Sequence, residues 1–90
     1  MHAIEHNDSG RYFELKIEGH RCVLDYTLNN AVMTITYTGV PSELGGRGLA
    51  ADITKFALEH AQSQGWTVIP QCSYVAAYIK KHPEYAPLVN

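Results

Sequence analysis

Val40-Pro41-Ser42-Glu43-Leu44-Gly45-Gly46-Arg47-Gly48-Leu49-Ala50 decides how this chain is read, because a strand ends before it and a helix begins within it. Upstream, Met33-Thr34-Ile35-Thr36-Tyr37-Thr38 is rich in β-branched and aromatic residues, which predicts a strand. Downstream, Leu49, Ile53, Phe56 and His60, with Ala50, Ala57 and Ala61, recur at three- and four-residue steps. That spacing predicts an amphipathic helix over Leu49 to Gln64. A helix start carries unpaired N–H groups and about half a unit of positive charge. Glycines at 45, 46 and 48 remove the side chains that would keep a phosphate off that backbone. The segment therefore predicts an anion site, suited to a phosphorylated cofactor.

Working outward, Asn7-Asp8-Ser9-Gly10 is a turn signal between a short first strand and a second over Arg11 to Glu18. Phe13, Leu15 and Ile17 alternate there with Glu14, Lys16 and Glu18, the period of a half-buried strand. Gly19-His20 turns the chain. Cys22, Leu24, Tyr26 and Leu28 then share one face, with Arg21, Val23, Asp25 and Thr27 opposite. Asn29-Asn30 suits a tight hairpin, and Ala31, Met33, Ile35 and Tyr37 form the next apolar face. Beyond the helix, Gly65 is a C-terminal cap and Trp66 to Pro70 a strand. Ser73 to His82 reads as a second helix with Val75, Tyr78 and Ile79 inward, stopped by Pro83. A closing turn runs from Glu84 to Leu88.

A helix between the fourth and fifth strands predicts parallel pairing of those strands through a right-handed crossover. The expected fold is α+β: a mixed, mainly antiparallel sheet of about five strands with two main helices, in one domain over residues 1–90. Strands four and five can splay where they run side by side, and the gap would open at the glycine loop.

Ninety residues suffice for one small core. A hydrophobic share of 46% argues against disorder. No apolar run approaches the roughly 18 residues of a membrane span. Met1 to Asp8 has neither the basic nor the apolar region of a signal peptide, so the expected compartment is the cytoplasm. Net charge is −2, and the basic residues are scattered apart from Lys80-Lys81, which speaks against a nucleic-acid partner. Cys22 and Cys72 lack the spacing of a zinc or redox pair and are expected as free thiols. The histidines at 2, 6, 20, 60 and 82 show no ligand spacing, so no metal is expected.

Three phosphate motifs compete for the glycine loop. A Walker loop fails, since no Lys-Ser or Lys-Thr follows Gly48. The dinucleotide fingerprint is matched by Gly46, Gly48 and Ala51, yet the preceding strands form a meander. Some 20 residues on, where an acid for the ribose belongs, stand Pro70-Gln71-Cys72. The acyl-CoA loop (Q/R)xxGx(G/A) is matched at Gly48 and Ala50, with Gly45 where Gln or Arg is usual.

From about Thr34 to Leu88 the chain resembles the GNAT acyltransferases, above all their smallest single-domain members. The resemblance rests on Val40 to Ala50, Ala57-Leu58-Glu59-His60-Ala61, Gly65 to Tyr74 and the closing Tyr78 to Tyr85, in that order and spacing. It implies a minimal GNAT-like fold and acetyl-CoA as cosubstrate. Val40 backbone groups would pair with the pantetheine arm as an added strand. Gly46, Arg47, Gly48, Leu49 and Ala50 would present N–H groups to the pyrophosphate. Gly45 implies a missing side-chain contact, and Tyr37 stands where small members often carry His, so a general base there is not implied.

Cys72 lies between a strand end and a helix start, where a thiol is stabilised as thiolate. Packing as a small buried residue is the competing reading. In the group resembled, this Cys is a proposed acyl-accepting or proton-handling residue. Cys22 reads as core. Tyr74 and Tyr78 share a helix face; either packing or proton donation to the departing thiolate fits them, and Tyr78 is a candidate cofactor-binding residue. His60 reads as a partly buried packing residue. Lys80 and Lys81 read as solvated, within reach of a ribose phosphate.

The expected activity moves an acetyl group from acetyl-CoA to an amine, on a small molecule or a protein. A non-catalytic CoA-binding or protein-interaction module is the alternative, and a nucleotide-dependent oxidoreductase the third. An exposed strand edge allows a monomer or a weak homodimer.

Overall fold

The computed structural model describes residues 3–90; Met1 and His2, and the reading made of His2, lie outside the described residues. Four strands form a meander: β1 (Ile4–Asn7), β2 (Tyr12–Ile17), β3 (His20–Asn29) and β4 (Val32–Gly39). A single 3-10 turn (Ser42–Leu44) leads through the glycines into α1 (Leu49–Gln64), followed by β5 (Thr67–Pro70), α2 (Ser73–Lys81) and a closing 3-10 segment (Pro83–Leu88). Sheet order is β1-β2-β3-β4-β5. The first four strands pair antiparallel and β4 pairs with β5 in parallel. This is the mixed α+β sheet with two main helices that the periodicities predict.

The second and third hairpins turn on two residues with positive φ: Glu18 and Gly19 between β2 and β3, Asn30 and Ala31 between β3 and β4. Paired positive φ values match the right-handed twist of the flanking strands. The turns sit one residue from the expected places, N-terminal for Gly19-His20 and C-terminal for Asn29-Asn30. Ala31 is consequently an exposed turn residue rather than part of an apolar face.

Phe13, Leu15, Cys22, Leu24, Tyr26, Met33 and Ile35 are buried on one sheet face, as alternation requires. Leu49, Ile53, Ala57, Leu58 and Ala61 of α1 and Val75, Tyr78 and Ile79 of α2 close over them. Burying a Leu or Ile side chain fully stabilises by about 1.5–3 kcal/mol, so α1 is held by packing more than by propensity. Phe56 departs from the predicted stripe: it lies at the margin, 41% exposed, with its ring edge-on to Phe13.

Alternation fails once, and the failure matters. Asp25 is paired with Tyr37 but Tyr26 with Ile35, so Thr36 is an extra residue in β4. Such a bulge reverses which side chains face the core. Tyr37, expected inward, is 54% exposed on the outer face, while Thr38 pairs with buried Leu24 and turns toward the helices. No helix among the described residues is long and apolar enough to cross a membrane.

Candidate functional site

The bulge lies where β4 and β5 part. Their pairing runs only from Val32↔Thr67 to Ile35↔Pro70. The Cys72 amide then donates to the Ile35 carbonyl at 2.9 Å, and the chain turns away into α2. Beyond Ile35, β4 continues to Gly39 against β3 alone, since no described strand pairs with its other edge there. An open strand edge offers backbone donors and acceptors to any extended ligand.

The glycine loop closes one end of this gap. Leu44 and Leu49 on either side of it are buried in a cluster with Leu15 and Cys22, while positions 45 to 48 are exposed. Gly46 (φ 83°) and Gly48 (φ 73°) adopt left-handed backbone, and a Cβ at either would meet nothing within 4 Å. Glycine is thus required by conformation, not by crowding. Gly48 is the N-cap of α1 and can offer no side-chain acceptor to the first-turn amides. They remain available to an outside anion. Gly45 differs: its φ of −59° suits any residue, and an added Cβ would approach only the Ser42 carbonyl, at 3.2 Å.

Two recesses share Ala51 and Tyr74 and form one groove. The first, about 210 Å³, is lined by Val40, Gly45, Gly46, Gly48, Leu49 and Ala50 among others. The second, about 310 Å³, runs on between α1 and α2 past Asp52, Lys55, Tyr78, Lys81 and His82. Six of the predicted cofactor residues therefore meet in one recess and Tyr78 lies in its continuation. Lys81 lines the groove and Lys80 does not. A larger recess, about 720 Å³, lies along Glu5 to Ser9 and includes none of these residues.

Arg47 is the exception among the loop residues. Its side chain lines neither recess and instead meets Glu18 in the β2–β3 turn, with Nη1–Oε2 at 2.6 Å and Nη2–Oε1 at 3.1 Å.

Cys72 stands behind the gap as the N-cap of α2, with Sγ 3.7 Å from Thr38 Oγ1. Burial pushes its thiol up. The Val75 amide, the Thr38 hydroxyl and the Tyr74 and Thr38 amides together outweigh that and hold it below the usual thiol value. Thr38 reaches this position because of the bulge, so alternation in the sequence points it the wrong way. Cys22 is fully buried, and burial pushes its thiol up. Tyr74, 40% exposed, stands at the junction of the two recesses. Burial, then nearby Asp52, raises Tyr74; burial, then Tyr74 and the carboxylates of Glu84, Glu59 and Asp52, raises Tyr78. Both are phenols with a proton to give at neutral pH. His60 packs edge-on against Trp66, 5.3 Å between ring centroids, and against His6, 4.5 Å.

An open helix start, an open strand edge and a polarised thiol at one gap can bind a phosphorylated, extended ligand and act on an electrophile at its end. Comparison with known proteins points to one family. A family model described as GCN5-related N-acetyl-transferase matches residues 12–88. The chain is 29% identical over 83 residues to Protein NATD1 of Mus musculus, covering 89% of this chain and 76% of that protein. The Homo sapiens Protein NATD1 is also 29% identical over 83 residues, covering 89% and 74%. A GCN5-like protein of Staphylococcus aureus, solved by NMR in solution, superposes with TM-score 0.77 at 25% identity, over 98% of this chain and 87% of that one.

Proposed function

The chain belongs to the GCN5-related N-acetyltransferase family, and from that premise we propose that it transfers an acetyl group from acetyl-CoA to an amine. The observation that carries this reading is the coincidence of the uncapped α1 start, with left-handed Gly46 and Gly48, and the unpaired β4 edge beside Cys72. The diphosphate of CoA would lie on the amides of Gly46 to Ala50, where the helix charge favours it. The pantetheine arm would extend from there along the backbone near Val40, adding main-chain hydrogen bonds as a strand does. That path brings the thioester toward Thr38 and Cys72.

Transfer has two stages on these residues. The Cys72 thiolate attacks the thioester carbonyl, and the C–S bond to CoA breaks as the new one to Cys72 Sγ forms. The departing CoA thiolate takes a proton from Tyr78 or Tyr74, whose phenols are held protonated. The amine then attacks the acetyl-cysteine carbonyl, its proton passes to the tyrosinate left by the first stage, and Cys72 departs as thiolate. Amides at the α2 start that favour the Cys72 thiolate make it a competent leaving group. Holding both partners in the gap supplies much of the rate.

Thermal unfolding with acetyl-CoA, CoA, NAD and ATP separates the ligand classes, because a ligand bound to the folded form raises the midpoint by mass action. The proposal expects acetyl-CoA and CoA to raise it and NAD to leave it unchanged. Mass spectrometry of the wild type with acetyl-CoA then reads an acetyl group on Cys72, absent from Cys72→Ala. Stabilisation by CoA without transfer to any amine would make the chain a CoA-binding module instead.

A further inference from the structure

Arg47 and Glu18 are 29 positions apart, yet they make a two-point contact between the glycine loop and the β2–β3 turn. Each perturbs the other: the guanidinium lowers the Glu18 carboxyl, and the carboxylate raises Arg47. Paired N–H···O bonds between guanidinium and carboxylate fix orientation as well as distance. The partners are geometrically committed. Glu18 sits at φ 52° beside Gly19 at φ 78° in the hairpin turn, and Arg47 lies between left-handed Gly46 and Gly48. The turn and the loop also rest on one apolar patch, since Ile17 packs on the cluster containing Leu44 and Leu49.

An exposed loop with three glycines has more backbone freedom than any other segment of this length. Something has to hold its amides in one arrangement if they are to bind an anion without first ordering. Leu44 and Leu49 anchor its flanks, and only Arg47 carries a side chain between them that can reach outward. The geometry points to Glu18 as a positioning residue for the anion site: by holding Arg47 away from the groove, it fixes the peptides of residues 46 to 48 with their amides free for phosphate. Arg47 accordingly serves the ligand through its backbone while its charge is spent on Glu18. This rests on the CoA reading above and adds to it the residue that pre-organises the cup.

The test is a double-mutant cycle read by two methods, with Glu18→Gln, Arg47→Gln and their combination. Nitrogen-15 relaxation without ligand comes first: backbone order parameters at residues 46 to 48 fall in each variant, while the midpoint of thermal unfolding stays near that of the wild type. Calorimetric titration with CoA follows. Each single variant binds CoA about fivefold more weakly, the scale of an exposed ion pair. The double variant is no weaker than either single, because the two groups act as one unit. Glu18→Asp, which keeps the carboxylate, recovers most of the affinity. Unchanged order parameters in all variants overturn the proposal whether or not CoA binds. Tighter binding by Glu18→Gln overturns it too, as does an additive double variant dominated by Arg47→Gln, since Arg47 would then serve the phosphate directly. Absence of CoA binding by the wild type, with lowered order parameters in the variants, would leave the brace standing and remove the acetyl-CoA reading instead.

Discussion

The two ends of α1 both carry a left-handed glycine, Gly48 at φ 73° and Gly65 at φ 75°, and they are finished in opposite ways. At the C-terminal end the Gly65 amide bonds back to the Ala61 and Gln62 carbonyls, and the Trp66 amide to Ala61 at 2.9 Å. The orphan acceptors are satisfied and the end is closed. At the N-terminal end no side chain caps the first turn, and its amides open onto the groove. One sequence device, a glycine with positive φ, closes the helix at one end and leaves it open at the other. What separates them is whether the protein meets its own backbone's hydrogen-bonding demand.

The start of α2 extends the contrast and carries the largest expected effect. Cys72 is the N-cap residue there and is held toward thiolate, whereas Cys22 is fully buried and pushed the other way. In the native protein Cys72 should react with iodoacetamide at least about a hundredfold faster than Cys22. Its rate should also rise with pH through a midpoint below the ordinary thiol value of 9.0. Peptide mapping after timed alkylation reads both, and equal rates would break the contrast.

Next comes Gly48→Val. A β-branched residue at φ 73° costs about 1–2 kcal/mol, and the substituted loop should also bind CoA at least about tenfold more weakly. Denaturant unfolding and calorimetry measure the two losses. Gly65→Ala is the matched control: it should cost about 1 kcal/mol of stability and leave CoA affinity unchanged once compared at equal fraction folded. Equal affinity losses from both substitutions would erase the distinction between the ends. The smallest effect is a gain. Gly45→Arg fits its backbone, with the Ser42 carbonyl giving by a few tenths of an ångström. It adds a cation beside the groove and should tighten CoA binding about threefold, less so at high salt.

The sequence made the open end legible because glycine's freedom is written in residue type: three glycines in four positions before a periodic apolar stripe admit few uses. The meander, both helices and the parallel fifth strand followed from periods of two and about 3.6 with their turn residues. The bulge at Thr36 left no such trace, because an extra residue is defined only against the partner strand's register. Strict alternation therefore turns Tyr37 inward and Thr38 outward, although Thr38 is hydrogen-bonded to Cys72. The Glu18–Arg47 brace was hidden for a related reason. Both residues look like solvated charges until the fold brings a turn and a loop 29 positions apart onto the same patch.

The most direct measurement is a titration of the nitrogen-15-labelled protein with CoA, followed by amide spectra. The account predicts that the resonances of Gly46 to Ala50 move progressively and saturate, while Gly65 and Trp66 at the closed end of the same helix stay in place. Unmoved Gly46 to Ala50 resonances at millimolar CoA, or equal movement at both ends of α1, would contradict it.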